Sequence, residues 1–183
     1  MGEQLLSARL EGESHRSFVG CLLRDLRAME MMIEQGLFER DVRRIGAEQE
    51  MFLVDDSRRP VGRAMEILEE LDDPRFTTEL ALFNLEVNLD PVVMHGQALS
   101  ELEAQLVTQV ARANQAARVH GAQVALAGIL PTIRKSDLGL EAMTPMPRYH
   151  QLNQILNERR GGPYDFQIRG LDDLAVKHDN VLV

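Results

Sequence analysis

The 183-residue chain has a single cysteine, Cys21, so no internal disulfide can staple it, and one unpaired thiol fits a reducing compartment better than a secreted setting. Long apolar runs are also missing: the longest uncharged apolar stretch, 124–131, is far too short to cross a bilayer, and no charged-then-apolar leader opens the sequence. These absences give the expectation of a cytoplasmic protein with no membrane partner. Positive charge is in deficit, 20 Lys and Arg against 29 Asp and Glu for a net −9. That argues against a nucleic-acid partner, because phosphate backbones are bound by clustered Lys and Arg. Neither GxxxxGK[ST] nor GxGxxG occurs, so there is no Walker-type loop or Rossmann fingerprint, and any nucleotide must be held otherwise. His15, His95, His120, His150 and His178 show no ligand spacing such as HExxH and read as surface or satisfied histidines. No catalytic triad can be named. Cys21, inside an apolar helical run, reads as a small buried hydrophobe rather than a nucleophile.

What is present is ordinary for one soluble globular domain, with 44% hydrophobic and 27% charged residues. Residues 1–13 read as a polar tail or a frayed helical start. Over 14–36, Phe18, Leu22, Leu26, Met29 and Ile33 recur at helical spacing and predict the buried stripe of an amphipathic helix, with Met31 and Met32 as core filling and Gly36 as the stop. A strand is expected over 43–55. A short helix over 64–71 follows, with Met65, Leu68 and Leu71 on one side and Asp72-Asp73-Pro74 ending it. The next element starts near Thr77. The clearest strand alternates Phe83, Leu85, Val87 and Leu89 with Asn84, Glu86, Asn88 and Asp90 before Pro91. A long helix over 96–120 carries Leu99, Leu102, Leu106, Val110, Ala113 and Ala117 as its buried stripe, with Gly121 as its stop. A strand over 123–129, a polar loop to Pro147, a helix over 148–159 and strands over 164–168 and 174–183 complete the prediction. The division expected is a tail and helix over 1–42 and the main domain over 43–183. The bare β-type ending Val181-Leu182-Val183 suggests the front part of a longer polypeptide whose later strands cover that end.

Chemistry is most concentrated in the glutamates. Glu48 and Glu50 stand one residue apart in a predicted strand, so both carboxylates share a face with Cα atoms about 6–7 Å apart. Such a pair repels unless a cation or base offsets it, although a solvated strand end remains an open alternative. The same face continues into Phe52 and Val54, from acidic to apolar. Glu86 and Asn88 form a second polar pair opposite apolar anchors. Glu79 is seven residues from Glu86, an odd separation that puts it on the other face unless a bulge or loop interrupts 78–82. Four glutamates on two strands would form a hard-oxygen site suited to Mg2+ or Mn2+, which retain waters and take substrate phosphates, and would disfavour zinc. Arg148 and Tyr149 at a helix start, and Arg159 and Arg160 at its end, offer groups for an anion. For the last two a solvated helix end is the simpler reading.

Together, IGAEQEMFLVD (45–55), ELALFNLEVNLDP (79–91), AGILPT (127–132) and TPMPRYHQL (144–152) resemble the glutamate–cysteine ligase family of the second type, carboxylate–amine ligases with a glutamine-synthetase-like fold. The likeness covers about residues 43–183, and the helix over 14–36 lies outside it. The resemblance implies an α+β fold in which a mainly antiparallel sheet lines the active site with one face and packs helices on the other, incomplete in this chain. It also implies the reaction: ATP phosphorylates the γ-carboxylate of glutamate, and an amine, typically that of cysteine, attacks the acyl phosphate. Mg2+ or Mn2+ would neutralise the repelling triphosphate and carboxylate. By position in the motifs, Glu48 and Glu50 fall on the metal-binding acids of the ExE strand, and Glu79 and Glu86 on the next acidic pair, Glu79 preceding the regular strand. Glu48, Glu50 and Glu86 are thereby the implied catalytic residues, and Arg148 falls on a basic position assigned to substrate or phosphate contacts. Members of the family continue beyond this length into further metal and nucleotide contacts. The rival from another class is a non-catalytic metal- or nucleotide-binding or scaffold domain, which would not need Glu48, Glu50 and Glu86 to converge on one accessible face. The amine is not legible, because specificity lies in pocket shape, and association with further copies stays open.

Overall fold

The computed structural model describes residues 12–162, 164–169, 174–178 and 180–182; residues 1–11 of the tail expected over 1–13, and the terminal Val183, lie outside them. Helix α1 (Gly12–Glu34) is followed by strands β1 (Arg44–Ile45) and β2 (Glu48–Val54), helix α2 (Ala64–Leu71) and strands β3 (Phe76–Thr78), β4 (Asn84–Asn88) and β5 (Val92–Val93). The long helix α3 (Ala98–Val119), strand β6 (Gln123–Ala125), helix α4 (Pro147–Arg160) and strands β7 (Tyr164–Ile168) and β8 (Leu174–His178) complete the order. A four-stranded sheet runs β3-β4-β2-β6, with every neighbouring pair antiparallel. The expected α+β arrangement is therefore the one found. The strand expected over 43–55 is broken at Gly46 and Ala47, because its first part pairs with β5 while the rest pairs with β4 and β6.

Alternation decides which face of the sheet is buried. Met51 and Leu53 of β2, Leu85 and Val87 of β4 and Phe76 of β3 meet Ala64 and Ile67 of α2 and Leu102, Ala113, Ala116 and Ala117 of α3. The small alanines let α3 approach the sheet closely, and each buried Leu, Ile, Val or Met contributes about 1.5–3 kcal/mol relative to exposure. Asp73, just before β3, ties this layer together by accepting hydrogen bonds from Arg75 Nη2 at 2.8 Å and from Arg112 Nη1 of α3 at 2.5 Å. The Arg75 guanidinium first, and then that of Arg112, holds the Asp73 carboxyl well below the usual carboxylate range.

Several expectations about burial need correction. The stripe of α1 exists but lies open: Phe18, Leu22, Leu26, Met29 and Ile33 are exposed, as are Met31, Met32 and Cys21. Periodicity specifies which residues share a helix face, not whether anything covers it. In α2 the inward residues are Ala64 and Ile67, so Met65 faces solvent. The inward stripe of α3 keeps Leu102, Leu106, Val110, Ala113 and Ala117 as expected and widens to include Ala98, Gln109 and Ala116, but Leu99 is 71% exposed. Strand β6 ends at Ala125, with Leu126 and Ile129 exposed beyond it. The final strand stops at His178; Leu182 turns instead into a second apolar cluster with Ala81, Phe83 and Met143. Among the described residues, no helix is long and apolar enough to cross a membrane.

Candidate metal centre

Strand register sets the acids. In the β2–β4 ladder Glu50 lies opposite Glu86 and Glu48 opposite Asn88. Both pairs alternate with the buried Met51, Leu85 and Val87, so they stand on the sheet face away from α2 and α3. Strand β3 stops at Thr78, and a turn follows before β4 starts at Asn84. That interruption is the one the odd separation of Glu79 and Glu86 required. The Glu79 side chain thereby joins the others: one carboxylate oxygen from each of Glu50, Glu79 and Glu86 lies within 4.8 Å of the other two.

Asn88 Nδ2 donates to Glu86 Oε1 at 2.7 Å and holds that carboxylate in place. Among the described residues no Arg or Lys forms an ion pair with any of the three acids. Burial, the hydrogen bond to Glu86 and the charges of Glu86 and Glu50 push the Glu79 carboxyl up to about 7. The three carboxylates and their uncompensated repulsion fit a hard divalent cation of the Mg2+ or Mn2+ type, whose own charge would reverse the local penalty. With neither His nor Cys in the cluster, the donor set does not suit zinc.

Glu48 is exposed and stands two residues further along β2, outside the three-acid cluster. It lines a recess of about 380 Å³ with Gly46, Ala47, Asn88, Leu89 and Pro91. The structure thus brings Glu50, Glu79 and Glu86 together and sets Glu48 beside them on the same face.

Arg148 is the second residue of α4, behind Pro147, whose fixed φ suits the first helical position. Its Nη2 donates to Tyr149 Oη at 2.5 Å, its guanidinium lies 4.5 Å from the centroid of that ring, and Tyr149 Oη donates to Thr78 O at 3.1 Å. Arg148 is therefore linked to the residue that precedes Glu79. The segment before α4 also pairs with the Glu79 turn. Leu82 N–H donates to Ala142 O at 2.8 Å, Ala81 and Met143 form an antiparallel bridge, and Thr144 N–H donates to Leu80 O at 2.9 Å. Thr144 was not legible as a site residue. Its one signal is the pattern TPMP, in which Pro145 and Pro147 hold the residues before them extended, but no spacing tells where that extended piece lands. Of the other candidates, Arg160 places its guanidinium 3.3 Å from the Tyr164 ring centroid, and the buried His178 is within 3.1 Å of Asn180 Oδ1.

The family model for glutamate-cysteine ligase family 2 matches residues 44–171. The span begins after α1 and contains all four glutamates, Arg148 and the four motifs that carry the resemblance. No curated protein and no solved structure matches the chain.

Proposed function

The chain belongs to glutamate-cysteine ligase family 2, a family of carboxylate–amine ligases, and from that premise we propose that it takes part in the ATP-dependent joining of the glutamate γ-carboxylate to an amine, most simply that of cysteine. In this reaction the γ-phosphoryl group of ATP passes to the γ-carboxylate of glutamate. The amine then attacks the acyl phosphate, expelling phosphate and leaving an amide. Both reactants of the first step are anions, so the site has to offset their repulsion before they can approach in line. The observation that carries the reading is the convergence of Glu50, Glu79 and Glu86 within 4.8 Å on the sheet face opposite the core.

Mg2+ or Mn2+ held by these carboxylates would supply charge neutralisation for phosphoryl transfer. Glu50 and Glu86 present their oxygens from adjacent strands, and Asn88 fixes the Glu86 rotamer. Glu79, pushed up to about 7 by burial and the neighbouring acids, is partly protonated near neutral pH, and a bound cation would favour its ionised form. Along the same face of β2, Phe52 stacks with Phe83 at 6.3 Å and borders the second apolar cluster. This apolar wall next to Glu50 would limit the access of water to an acyl phosphate formed there. Arg148, with its orientation set by Tyr149, is assigned to a phosphate or substrate carboxylate. Glu48 would act from the neighbouring recess as a further acid. The proposal includes a cytoplasmic setting, where ATP, glutamate and free cysteine occur together.

ADP release by the complete protein with glutamate, Mg2+ and a panel of amines tests the reading. The expected result is glutamate-dependent release, stimulated most by cysteine, with Glu86→Gln lowering the rate at least about 100-fold while the fold persists. Release that Glu86→Gln leaves unchanged would remove Glu86 from the site.

A further inference from the structure

We propose that Thr144, seconded by Tyr149, is a positioning residue that holds Glu79 in the three-carboxylate centre. The inference rests on the ligase reading above and assigns part of that site's order to a segment 65 residues away in the chain. Glu50 and Glu86 need no such help, because the β2–β4 ladder fixes both. Glu79 lies past the end of β3, where no ladder holds it.

Three successive carbonyls in its turn are gripped instead by residues 144–149. Thr78 O accepts from Tyr149 Oη at 3.1 Å, Glu79 O from Thr144 Oγ1 at 2.5 Å, and Leu80 O from Thr144 N–H at 2.9 Å. Thr144 supplies two of the three donors and is wholly buried, so no water can readily replace its hydroxyl. The grip fixes the peptide planes on both sides of the Glu79 Cα, and these planes set the direction in which its side chain leaves. Without the hydroxyl, the peptide joining Glu79 and Leu80 can rotate. The carboxylate then meets Glu50 and Glu86 only part of the time, although Thr144 touches none of the three carboxylates itself. Partners one step removed from a metal ligand commonly change affinity 10- to 100-fold.

The test is calorimetric titration of Mn2+ into the full chain. Thr144→Val keeps the branched shape and removes only the hydroxyl; it is expected to weaken Mn2+ about tenfold, and Thr144→Ser is expected to restore wild-type affinity. Ile67→Val, in the core behind the sheet, gives a general loss of stability without touching the grip and should leave affinity unchanged. If Thr144→Val does not fold, Tyr149→Phe takes its place, with a smaller loss expected. Wild-type affinity in the folded Thr144→Val protein, or in Tyr149→Phe where that replaces it, would overturn the inference alone. An Ile67→Val protein that loses Mn2+ in step with its stability would do the same. A wild-type chain with no saturable Mn2+ binding would overturn the ligase reading and this inference with it.

Discussion

Glu79 shows how far a single residue can be read from a sequence. Period-two spacing put Glu48 with Glu50 and Glu86 with Asn88, and the ladder agrees, because a pleated strand allows no other alternation. For Glu79 the same arithmetic gave only a condition, an interruption between β3 and β4, and the turn after Thr78 meets it. Thr144 and its grip were invisible, since a hydrogen bond across 65 residues leaves no local pattern. The raised Glu79 pKa has a direct consequence for stability. A carboxyl that titrates near 7 in the folded chain and near 4.5 in the unfolded one contributes stability that is complete below about 4.5 and lost as pH rises through about 7. In metal-free buffer, Glu79→Gln should therefore gain in melting temperature relative to the wild type between about pH 5 and pH 8. Added Mg2+ should raise the wild type at the upper pH and the variant much less. Parallel pH profiles for the two proteins would contradict this assignment of the proton.

Among the elements, β4 and α2 were easiest to read, since clean alternation and a flanking Asp-Asp-Pro stop leave little choice. Helix α1 was equally periodic, yet its apolar side chains are open, and β1 left the line of β2 to join β5. In each case the missing information was the partner, which local sequence does not contain. Arg112 and Asp73 form another such link, joining α3 to the start of β3. Asp73 is 10% exposed while Arg75 and Arg112 are 33% and 39% exposed. Asp73→Asn should therefore cost about 2 kcal/mol at pH 7, below the range for fully buried pairs because solvent screens the guanidinium groups. The depressed Asp73 pKa places that stability above about 3.8, the ordinary value, and removes it as pH falls further. Urea midpoints at pH 7 and pH 3 check both points: the variant's deficit should shrink at pH 3, and a constant deficit would assign the effect to packing instead.

At the scale of the whole molecule, one sheet separates two tasks. The face toward α2 and α3 holds the core, and the opposite face carries the acids and runs into the second apolar cluster. The resemblance implied helices packed on one face of the sheet, and the packing of α2 and α3 agrees with that half of it. The position of α1 before that span leads to a further prediction: a protein beginning at residue 43 should unfold cooperatively and keep its Mn2+ affinity. Loss of either would show that residues 1–42 belong to the main domain. On the proposed function, Glu50, Glu79 and Glu86 form a divalent-cation centre. Anomalous diffraction at the manganese edge, from crystals of the wild-type chain soaked in Mn2+, tests it most directly. A peak bounded by these three carboxylates and absent from Glu50→Gln crystals is expected; a peak confined to the Glu48–Asn88 recess, or none on this face of the sheet, would overturn the assignment.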